Sequence, residues 1–418
     1  MNQIYKYKGA TLHQEEASLD LIAQNVGTPT FVYSKARLLS RYRALSDALS
    51  GLNFQINYSV KANSNLSILS LLKNEGAGFD IVSGGELSRI LAIGGDPKTV
   101  VFSGVGKSIE EIDYSLKNNI GCINVESVSE LNRIVNRAQI LNKCAPVSIR
   151  VNPNINPNTH PYISTGLKEN KFGVSIEESF QLFDIAHNSE HTDIKGIDCH
   201  IGSQISSITP LSQAVTNLCE VIDKLTLQGI SIGHINIGGG LGVTYKDEEA
   251  LSFNEYGNML RKNLKDRDIQ VFTEPGRSLV ADCGILLCRV EYLKNSTQSG
   301  APNFAIVDAG MNDLIRPALY NAWHEVLPVH EKENEQSNLW DIVGPICESG
   351  DFLAKQRELS IKEGSLLAIM TAGAYGMSLS SNYNSRSRPC EVLVDGNEFK
   401  IIRMRESIND QIKLEIVD

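Results

Sequence analysis

The sequence lacks the patterns by which several classes of protein are recognised. Its eight cysteines form no Cys-x-x-Cys pair, and its eight histidines show no His-Glu-x-x-His or similar ligand spacing. Zinc sites depend on such spacing, so neither a structural nor a catalytic metal ion is expected. Most of the cysteines lie in apolar segments, where a free thiol behaves as a small hydrophobic side chain.

Charge and hydropathy exclude further classes. The chain has more acidic than basic residues, with a formal net charge of −10 and a pI near 5.4. No block of Lys and Arg residues offsets this excess of negative charge. Nucleic acid and anionic membranes are therefore not expected as partners. Residues 1–10 contain neither a signal-peptide core nor a long apolar span. We expect a cytoplasmic protein that acts on small molecules.

Short apolar or β-branched runs recur along the chain, each followed by a longer segment with helical periodicity. Eight such units within residues 30–277 span about 250 residues, the usual size of a (β/α)8 barrel. The sequence therefore predicts an α/β protein with a TIM barrel. The predicted strands are 54–60, 78–82, 100–103, 122–125, 147–151, 196–201, 234–237 and 271–273. The predicted helices are 64–74, 85–93, 108–117, 129–141, 176–188, 208–228 and 254–266.

A doubly wound open sheet is the alternative architecture for alternating strands and helices. The glycine-rich segment at 238–243, Gly-Gly-Gly-Leu-Gly-Val, resembles the dinucleotide-binding motif G-x-G-x-x-G. Val243, however, stands where that motif has its last glycine, and no acidic residue follows a second strand as the motif requires. The barrel is therefore the preferred architecture.

The remainder of the chain changes to β-rich runs with few long helical stretches. We expect a second, mainly antiparallel β-domain formed by residues 278–418 together with residues 1–29, which contain a strand-like segment at 4–7. A similar segment at 30–33 is a candidate to join it before the barrel begins. The later predicted strands are 284–292, 304–308, 339–343, 366–370, 390–394 and 399–403.

Several residues that can carry chemistry end the predicted barrel strands, and active sites of such barrels lie at those ends. Lys61 ends the first strand. A desolvated amine there can condense with an aldehyde and is the usual anchor of pyridoxal phosphate, although a strand-end lysine is more often a solvated surface group. The other candidates at strand ends are Asp80, Arg150, His200, Ser203, Gly239, Gly240, Glu274, Gly276 and Arg277.

The last two strand ends suit a phosphorylated pyridine cofactor. Glycines at 238–240 let backbone N–H groups approach an anion closely; they could equally form a tight turn, but Gly276 repeats the pattern one strand later. Glu274 could hold a ring nitrogen protonated, which strengthens the ring as an electron sink, or it could be a solvated rim residue. His200 is placed to stack on a flat ring or to serve as a buried structural histidine.

Together, the motifs resemble those of diaminopimelate decarboxylases, pyridoxal-phosphate enzymes with the alanine-racemase-like fold, also called fold type III. The resemblance covers essentially the full length of the chain. It is carried by YSVKAN at 58–63, HIGSQ at 200–204, GGGLG at 238–242, EPGR at 274–277, GPICESGD at 344–351 and GAYG at 373–376. MNDLIRPALY at 311–320 narrows it to the diaminopimelate members. The reaction implied is decarboxylation of meso-2,6-diaminopimelate to L-lysine and carbon dioxide.

The resemblance also implies a role for individual residues. Lys61 would bind pyridoxal 5'-phosphate covalently, His200 would stack on its ring and Glu274 would contact the ring nitrogen. Asp80, Arg150 and Gly239 belong to the expected cofactor contacts as well. The phosphate group would be bound by Ser203, Gly240, Gly276, Arg277 and Tyr375. The substrate would be bound by Arg277, Arg316, Tyr320, Glu348 and Tyr375, with the first three on its distal carboxylate and Glu348 on its distal ammonium group.

Cys347 is the expected proton donor to the carbon that has lost its carboxylate. The resemblance implies that it reaches in from the other subunit of a homodimer with shared active sites. A buried apolar thiol is the alternative, but the flanking Gly344, Pro345, Glu348 and Gly350 form a polar, turn-rich setting that favours a reactive cysteine.

Three other functions stay open on this fold. A decarboxylase of L-ornithine, L-lysine or L-arginine would have no distal carboxylate to recognise, which disagrees with Arg277 and Arg316. A racemase would place an arginine where Glu274 stands. A non-catalytic cofactor-binding homologue disagrees with the presence of Lys61 and Cys347 together. The Asn- and Pro-rich segment at 156–165 is expected to be a mobile lid.

Overall fold

The computed structural model describes residues 4–156, 170–298, 300–331 and 337–417. The predicted lid lies outside the described residues except for Asn156. The chain divides into two compact units. We refer to residues 41–243 and 249–278 as the barrel unit, and to residues 1–40, 244–248 and 279–418 as the β unit.

The strands are β1 (Tyr5–Lys8), β2 (Thr11–Gln14), β3 (Ala17–Ser18), β4 (Thr30–Ser34), β5 (Phe54–Ser59), β6 (Gly78–Ile81), β7 (Val100–Phe102), β8 (Cys122–Val125), β9 (Ala145–Arg150), β10 (Thr192–Asp198), β11 (His234–Asn236), β12 (Gln270–Thr273), β13 (Gly284–Lys294), β14 (Asn303–Val307), β15 (Val326–Pro328), β16 (Asn338–Val343), β17 (Phe352–Leu359), β18 (Leu366–Ile369), β19 (Cys390–Asp395) and β20 (Glu398–Arg403). The helices are α1 (Leu19–Val26), α2 (Lys35–Ala48), α3 (Leu66–Asn74), α4 (Gly84–Ala92), α5 (Ile109–Asn118), α6 (Val128–Ile140), α7 (Ile176–His187), α8 (Ile208–Leu227), α9 (Phe253–Leu264), α10 (Arg277–Val280), α11 (Arg316–Tyr320) and α12 (Ile408–Ile412).

Strands β5 to β12 are parallel and close into a barrel in which β12 pairs with β5. The predicted TIM barrel is confirmed, and each predicted barrel strand and helix lies within a few residues of its observed bounds. Side chains such as Tyr58, Phe79 and Phe102 are fully buried, as expected for parallel strands that are covered by helices.

The register of the barrel places polar residues next to each other near the carboxyl ends of the strands. Ser59 lies opposite Asp80, and Asp198 lies opposite both Arg150 and Asn236. Since parallel strands end at the same rim, residues far apart in sequence meet there.

Serine caps fix the loops that follow these strands. Ser108, Ser175 and Ser252 each accept the backbone N–H of a glutamate three residues later, and that glutamate bonds back to the serine N–H. Such capping boxes satisfy two backbone donors that a helix start leaves without partners. An N-cap contributes about 1 kcal/mol, so these loops have defined ends.

The β unit contains a three-stranded sheet, β1 to β3, and a larger sheet with the order β17-β16-β14-β13-β4-β19-β20, to which β18 and β15 add beside β13. Most of its strand pairs are antiparallel, as predicted; β14 with β16 and β4 with β19 are parallel. The predicted barrel domain starts at residue 30, whereas the barrel unit starts at Arg41. The difference arises because β4 pairs with β13 and β19 inside the β unit.

Candidate active site

Lys61 lies in a short 3-10 turn, Val60–Ala62, directly after β5. Its Nζ donates a hydrogen bond of 2.7 Å to Oδ2 of Asp80. The Asp80 side chain is completely buried, while the Lys61 side chain is 37% exposed. A buried carboxylate needs a cation or hydrogen-bond donors, so this pair fixes the amine at the carboxyl end of the barrel.

The Asp80 carboxylate accepts a second hydrogen bond and has one oxygen without a hydrogen-bond partner among the described residues. The hydroxyl of Ser59 lies 2.8 Å from Asp80 Oδ2 and 3.0 Å from the carbonyl oxygen of Glu274. The other carboxylate oxygen, Oδ1, is buried and has no hydrogen-bond partner among the described residues. Asp80 can therefore accept one more donor at the point where Lys61 ends.

Glu274 follows β12 and is buried. The side-chain amide of Asn236 donates to its Oε1 at 2.6 Å, and Asn236 Oδ1 accepts the backbone N–H of Gly238 at 3.0 Å. Burial, followed by the nearby charges of Asp80 and Asp198, raises the pKa of Glu274 well above its ordinary value, although Lys61 and Asn236 oppose this. A cationic N–H opposite this carboxyl group would stabilise its ionised form.

Arg150 completes a buried charge cluster with two acidic residues. Its NH1 donates to Glu126 Oε1 at 3.2 Å, and its Nε lies 3.7 Å from Asp198 Oδ2. Burial raises the pKa of Asp198 to about 7, an effect that Arg150 opposes. Glu274 and Asp80 act electrostatically on Arg150 as well. Lys61, Asp80, Arg150 and Glu274 are thus brought together, as the sequence predicts.

His200 follows β10, and its Nδ1 accepts the backbone N–H of Gly239 at 3.1 Å. A backbone N–H can only donate, so in the neutral ring the proton is on Nε2. Burial, Arg150 and Lys61 lower the pKa of His200 well below its ordinary value. The ring is therefore neutral, which suits stacking on a flat aromatic group.

The glycines after β11 pass too close to neighbouring backbone for any side chain. A Cβ on Gly239 would collide with the carbonyl oxygen of Glu274, and a Cβ on Gly240 would collide with that of Gly202. Gly238 and Gly240 have positive φ values of 64° and 101°, which favour glycine. The loops after β10, β11 and β12 therefore pack tightly against one another.

Gly276, Arg277 and Ser203 lie in the same loops. A Cβ on Gly276 would lie 3.0 Å from Ala62 Cβ and 3.1 Å from Ser59 Cβ, which places this glycine against the turn that carries Lys61. The Arg277 guanidinium donates to the hydroxyl of Ser203 at 3.1 Å and 3.3 Å. Small residues and the Arg277 guanidinium therefore meet in these loops, and such groups are the ones that bind anions.

The remaining predicted residues lie in the β unit. Arg316 is buried and begins α11, and Tyr320 ends it. Arg316 NH1 lies 2.9 Å from His324 Nε2, and its Cζ lies 4.3 Å from the centroid of the Tyr245 ring. Tyr375 is half-buried and has a positive φ of 56°.

Cys347 and Glu348 lie in a polar turn of the β unit. The thiol-bearing residue is exposed, unlike Cys122, Cys199 and most other cysteines. Its backbone N–H donates to Asn384 Oδ1 at 3.0 Å. The Glu348 carboxylate accepts the hydroxyl proton of Tyr383, and this hydrogen bond raises the pKa of Tyr383. Both residues of the predicted pair are therefore presented at the surface with fixed backbones.

The chain is similar to known proteins over nearly its whole length. Residues 35–281 match the family described as "Pyridoxal-dependent decarboxylase, pyridoxal binding domain". The diaminopimelate decarboxylase of Pseudomonas aeruginosa is 50% identical over 406 residues, which cover 97% of each chain. The enzyme of the same name from Vibrio cholerae is 47% identical, again over 97% of each chain. The chain belongs to the diaminopimelate decarboxylase family.

Solved structures of the diaminopimelate decarboxylase family share the whole fold. The Helicobacter pylori enzyme, complexed with L-lysine, is 40% identical with a TM-score of 0.91 and covers 95% of this chain and 98% of its own. The M. jannaschii enzyme, in co-complex with L-lysine, is 37% identical with a TM-score of 0.94 and covers 100% and 98%. A lysine/ornithine decarboxylase from Vibrio vulnificus is only 20% identical with a TM-score of 0.79, over 90% and 97%, and shows the fold alone.

Sequence reasoning missed several residues that hold the site of this diaminopimelate decarboxylase family member together. Asn236 is the last residue of β11, and Asp198 is the last residue of β10. Their alternation with apolar neighbours could have shown that they point into the barrel. Ser59 lies inside a motif that was recognised for Lys61 alone. His324 and Tyr383 carry no local pattern, because only tertiary contacts bring them to Arg316 and Glu348.

The structure offers no support for a metal centre or a membrane segment in the part of the chain that it describes. There, no three or more His, Cys, Asp or Glu side chains are grouped so that they could hold a metal ion. None of the described helices combines the length and the apolar character that crossing a bilayer requires.

Proposed function

We propose that the residues at the carboxyl end of the barrel hold pyridoxal 5'-phosphate and decarboxylate meso-2,6-diaminopimelate there. As a member of its family, the enzyme is a pyridoxal-dependent carboxy-lyase that converts diaminopimelate to lysine and carbon dioxide. The observation that carries the assignment of this site is the position of the Lys61 amine beside the buried, partly unpartnered Asp80, in one charge cluster with Glu274.

The residues present fit the cofactor. Lys61 supplies an amine for a covalent bond to its aldehyde. Glu274 is a buried carboxyl group whose pKa is raised by burial, and a protonated ring nitrogen beside it would stabilise its ionised form. Gly239 and Gly240 leave no room for side chains, and with Ser203, Gly276, Arg277 and Tyr375 they would bind the phosphate. Bound pyridoxal phosphate supplies an electron sink for the electron pair that remains when the carboxylate leaves.

Each charged residue then has a defined task. Asp80 holds the Lys61 amine at the strand end, and Arg150 keeps the ionised carboxyl groups around it compensated. The neutral His200 would pack on a face of the cofactor ring without adding a charge that competes with Glu274. Because the cluster is buried, these interactions are stronger than they would be in water.

The far end of the substrate carries a carboxylate and an ammonium group, and each would have its own protein partners. Arg316, Arg277 and Tyr320 would bind the distal carboxylate, for which a planar guanidinium is the natural partner. Glu348 would pair with the distal ammonium group. The substrates of decarboxylases that act on simple basic amino acids have no distal carboxylate, so a role for two arginines in substrate binding favours diaminopimelate.

The carbon that has lost its carboxylate needs a proton, and Cys347 would donate it. We propose a homodimer in which Cys347 and Glu348 complete the active site of the partner chain; the exposure of both residues supports this. We also propose a cytoplasmic location, with no nucleic acid or membrane as partner, on the basis of the acidic composition.

The experiment that tests this function measures carbon dioxide release by the cofactor-loaded enzyme. The substrates are meso-diaminopimelate, L-lysine, L-ornithine and L-arginine at equal concentration. We expect release from meso-diaminopimelate alone, with L-lysine as the product. Release from a simple basic amino acid alone would overturn the roles given to Arg277, Arg316 and Tyr320. Cofactor absorbance without any release would indicate a non-catalytic homologue.

A further inference from the structure

Arg316 is held by two aromatic side chains that lie in different loops of the β unit. Its NH1 lies 2.9 Å from Nε2 of His324, and its Cζ lies 4.3 Å from the centroid of the Tyr245 ring. The rings of Tyr245 and His324 meet edge-on, with centroids 5.3 Å apart. All three side chains are buried, so these contacts are sheltered from water.

The contacts of His324 define its protonation state. Its second ring nitrogen, Nδ1, lies 2.8 Å from the carbonyl oxygen of Met370. A guanidinium can only donate and a carbonyl can only accept. His324 must therefore carry its proton on Nδ1, donate it to Met370, and accept the Arg316 N–H at Nε2. Only a neutral imidazole can make both hydrogen bonds.

The backbone around His324 is fixed independently of Arg316. Strand β15 pairs with β18, so that Val326 lies opposite Ile369, and the Met370 N–H donates to the carbonyl oxygen of Glu325 at 2.8 Å. Arg357 NH2 donates to the carbonyl oxygen of His324 at 2.7 Å. His324 is therefore a rigid acceptor presented by the sheet.

A neutral acceptor has a specific advantage at this position. A carboxylate would also orient Arg316, but it would neutralise the guanidinium and repel a substrate carboxylate. The nearby Glu248, on which Arg316 acts electrostatically, accepts the backbone N–H groups of Tyr245 and Lys246 with one of its oxygens. His324 orients one edge of the fork without adding a negative charge beside it.

We infer that His324 is a positioning residue that orients Arg316 toward the distal carboxylate of the substrate. This inference rests on the proposed role of Arg316. It makes His324 a determinant of specificity that acts through another residue and need not touch the substrate itself. Loss of its acceptor would weaken binding of ligands that carry the distal carboxylate and leave other ligands unaffected.

Two variants of His324 separate its acceptor from its donor. His324→Asn keeps an amide donor near the Nδ1 position for Met370 but has no acceptor near the Nε2 position. His324→Gln places an amide oxygen near the Nε2 position and can accept from Arg316. The matched ligands are L-lysine and cadaverine, which carry the same two amines and differ by one carboxylate.

We expect His324→Asn to raise KM for meso-diaminopimelate and Ki for L-lysine about tenfold, the usual effect of losing a hydrogen bond to a charged group. Ki for cadaverine should stay within about twofold and kcat within about threefold, because neither depends on the carboxylate contact. His324→Gln should restore Ki for L-lysine to within about threefold of the wild type. Equal losses for L-lysine and cadaverine in His324→Asn would overturn the inference.

Arg316→Met distinguishes this inference from the function on which it rests. If Arg316→Met leaves the ratio of the two Ki values unchanged, the proposed role of Arg316 itself is wrong. If Arg316→Met abolishes the ratio but His324→Asn leaves it intact, only the role of His324 is wrong. In the double variant, His324→Asn should cause no further loss of affinity for L-lysine beyond that of Arg316→Met. The effects of two substitutions are not additive when the residues act as one unit.

Stability is followed by thermal melting of the cofactor-loaded proteins. Should His324→Asn fail to fold, His324→Gln decides the question alone, because it has an acceptor for Arg316 but no donor for Met370. Its ratio of Ki values should then stay within about threefold of the wild type. A collapse of the ratio in folded His324→Gln would overturn the inference.

Discussion

Asn236 donates its side-chain amide to Glu274 across 2.6 Å inside the barrel, although the residues are 38 positions apart. Burial raises the pKa of the Glu274 carboxyl group, and this hydrogen bond lowers it. We expect Asn236→Ala to reduce kcat/KM about tenfold, because a hydrogen bond to a charged group contributes about 1.5–3 kcal/mol. Steady-state kinetics test this, with Asn263→Ala on the outer helix α9 as control. Equal kinetics for both variants would remove Asn236 from the site.

Lys61 has one proposed task, to bind the cofactor, and one observed task, to compensate Asp80. Lys61→Arg keeps a cation beside Asp80 but cannot form the covalent bond, whereas Lys61→Met loses both. We expect both variants to lose essentially all turnover. Only Lys61→Met should destabilise the cofactor-free protein, by about 1–2 kcal/mol, a figure discounted for the partial exposure of Lys61. Urea denaturation checks this; equal midpoints would show that the ion pair contributes nothing.

Cys347 and Cys144 are both exposed, so they form a matched pair of thiols. We expect Cys347→Ala to keep the absorbance of the bound cofactor and to lose at least about a hundredfold in kcat, as removal of a general acid does. Cys144→Ala should behave as the wild type. An unchanged rate for Cys347→Ala would exclude this thiol as the proton donor.

The proposed sharing of active sites between subunits makes a prediction about mixed dimers. Lys61→Ala and Cys347→Ala are each expected to be inactive, but a heterodimer of the two would contain one intact site. After random mixing, half of the dimers are heterodimers with one of two sites intact, so about a quarter of the wild-type activity should return. Activity assays after mixing and re-equilibration measure it. No recovery from a mixture shown to contain heterodimers would place Lys61 and Cys347 in the same subunit's site.

Asp198 makes the stability of the cofactor-free protein depend on pH. Its pKa is raised by burial to about 7 in the folded state, from an ordinary value of 3.8. Between these values the unfolded chain has released a proton that the folded protein keeps, so the free energy of unfolding falls as pH rises. Asp198→Asn removes this contribution. Between pH 5 and pH 7, the melting temperature of Asp198→Asn should therefore fall less than that of the wild type. Parallel plots of melting temperature against pH for the two proteins would contradict the raised pKa of Asp198.

The barrel and the principal site residues could be predicted because their signals are local. Lys61, His200 and Glu274 each follow an apolar run, and parallel strands bring such ends together wherever the intervening helices lie. Strand β17, with the sequence Phe-Leu-Ala-Lys-Gln-Arg-Glu-Leu, was not predicted, because its residues favour a helix and only pairing with β16 makes it a strand. His324 was not predicted for the same reason, since its proposed role in positioning Arg316 depends on the carbonyl oxygen of Met370, 46 residues away.

The Ser59 hydroxyl lies between Asp80 and the carbonyl oxygen of Glu274, a residue 215 positions later in the chain. Strands β5 and β12, which pair at this point, are the first and last strands of the barrel. Contacts between such distant segments form late in folding, because closing a long loop costs entropy that local contacts do not. A chain emerging from the ribosome would therefore be unable to retain its cofactor until the eighth strand has docked, and cofactor capture would mark the completion of barrel closure.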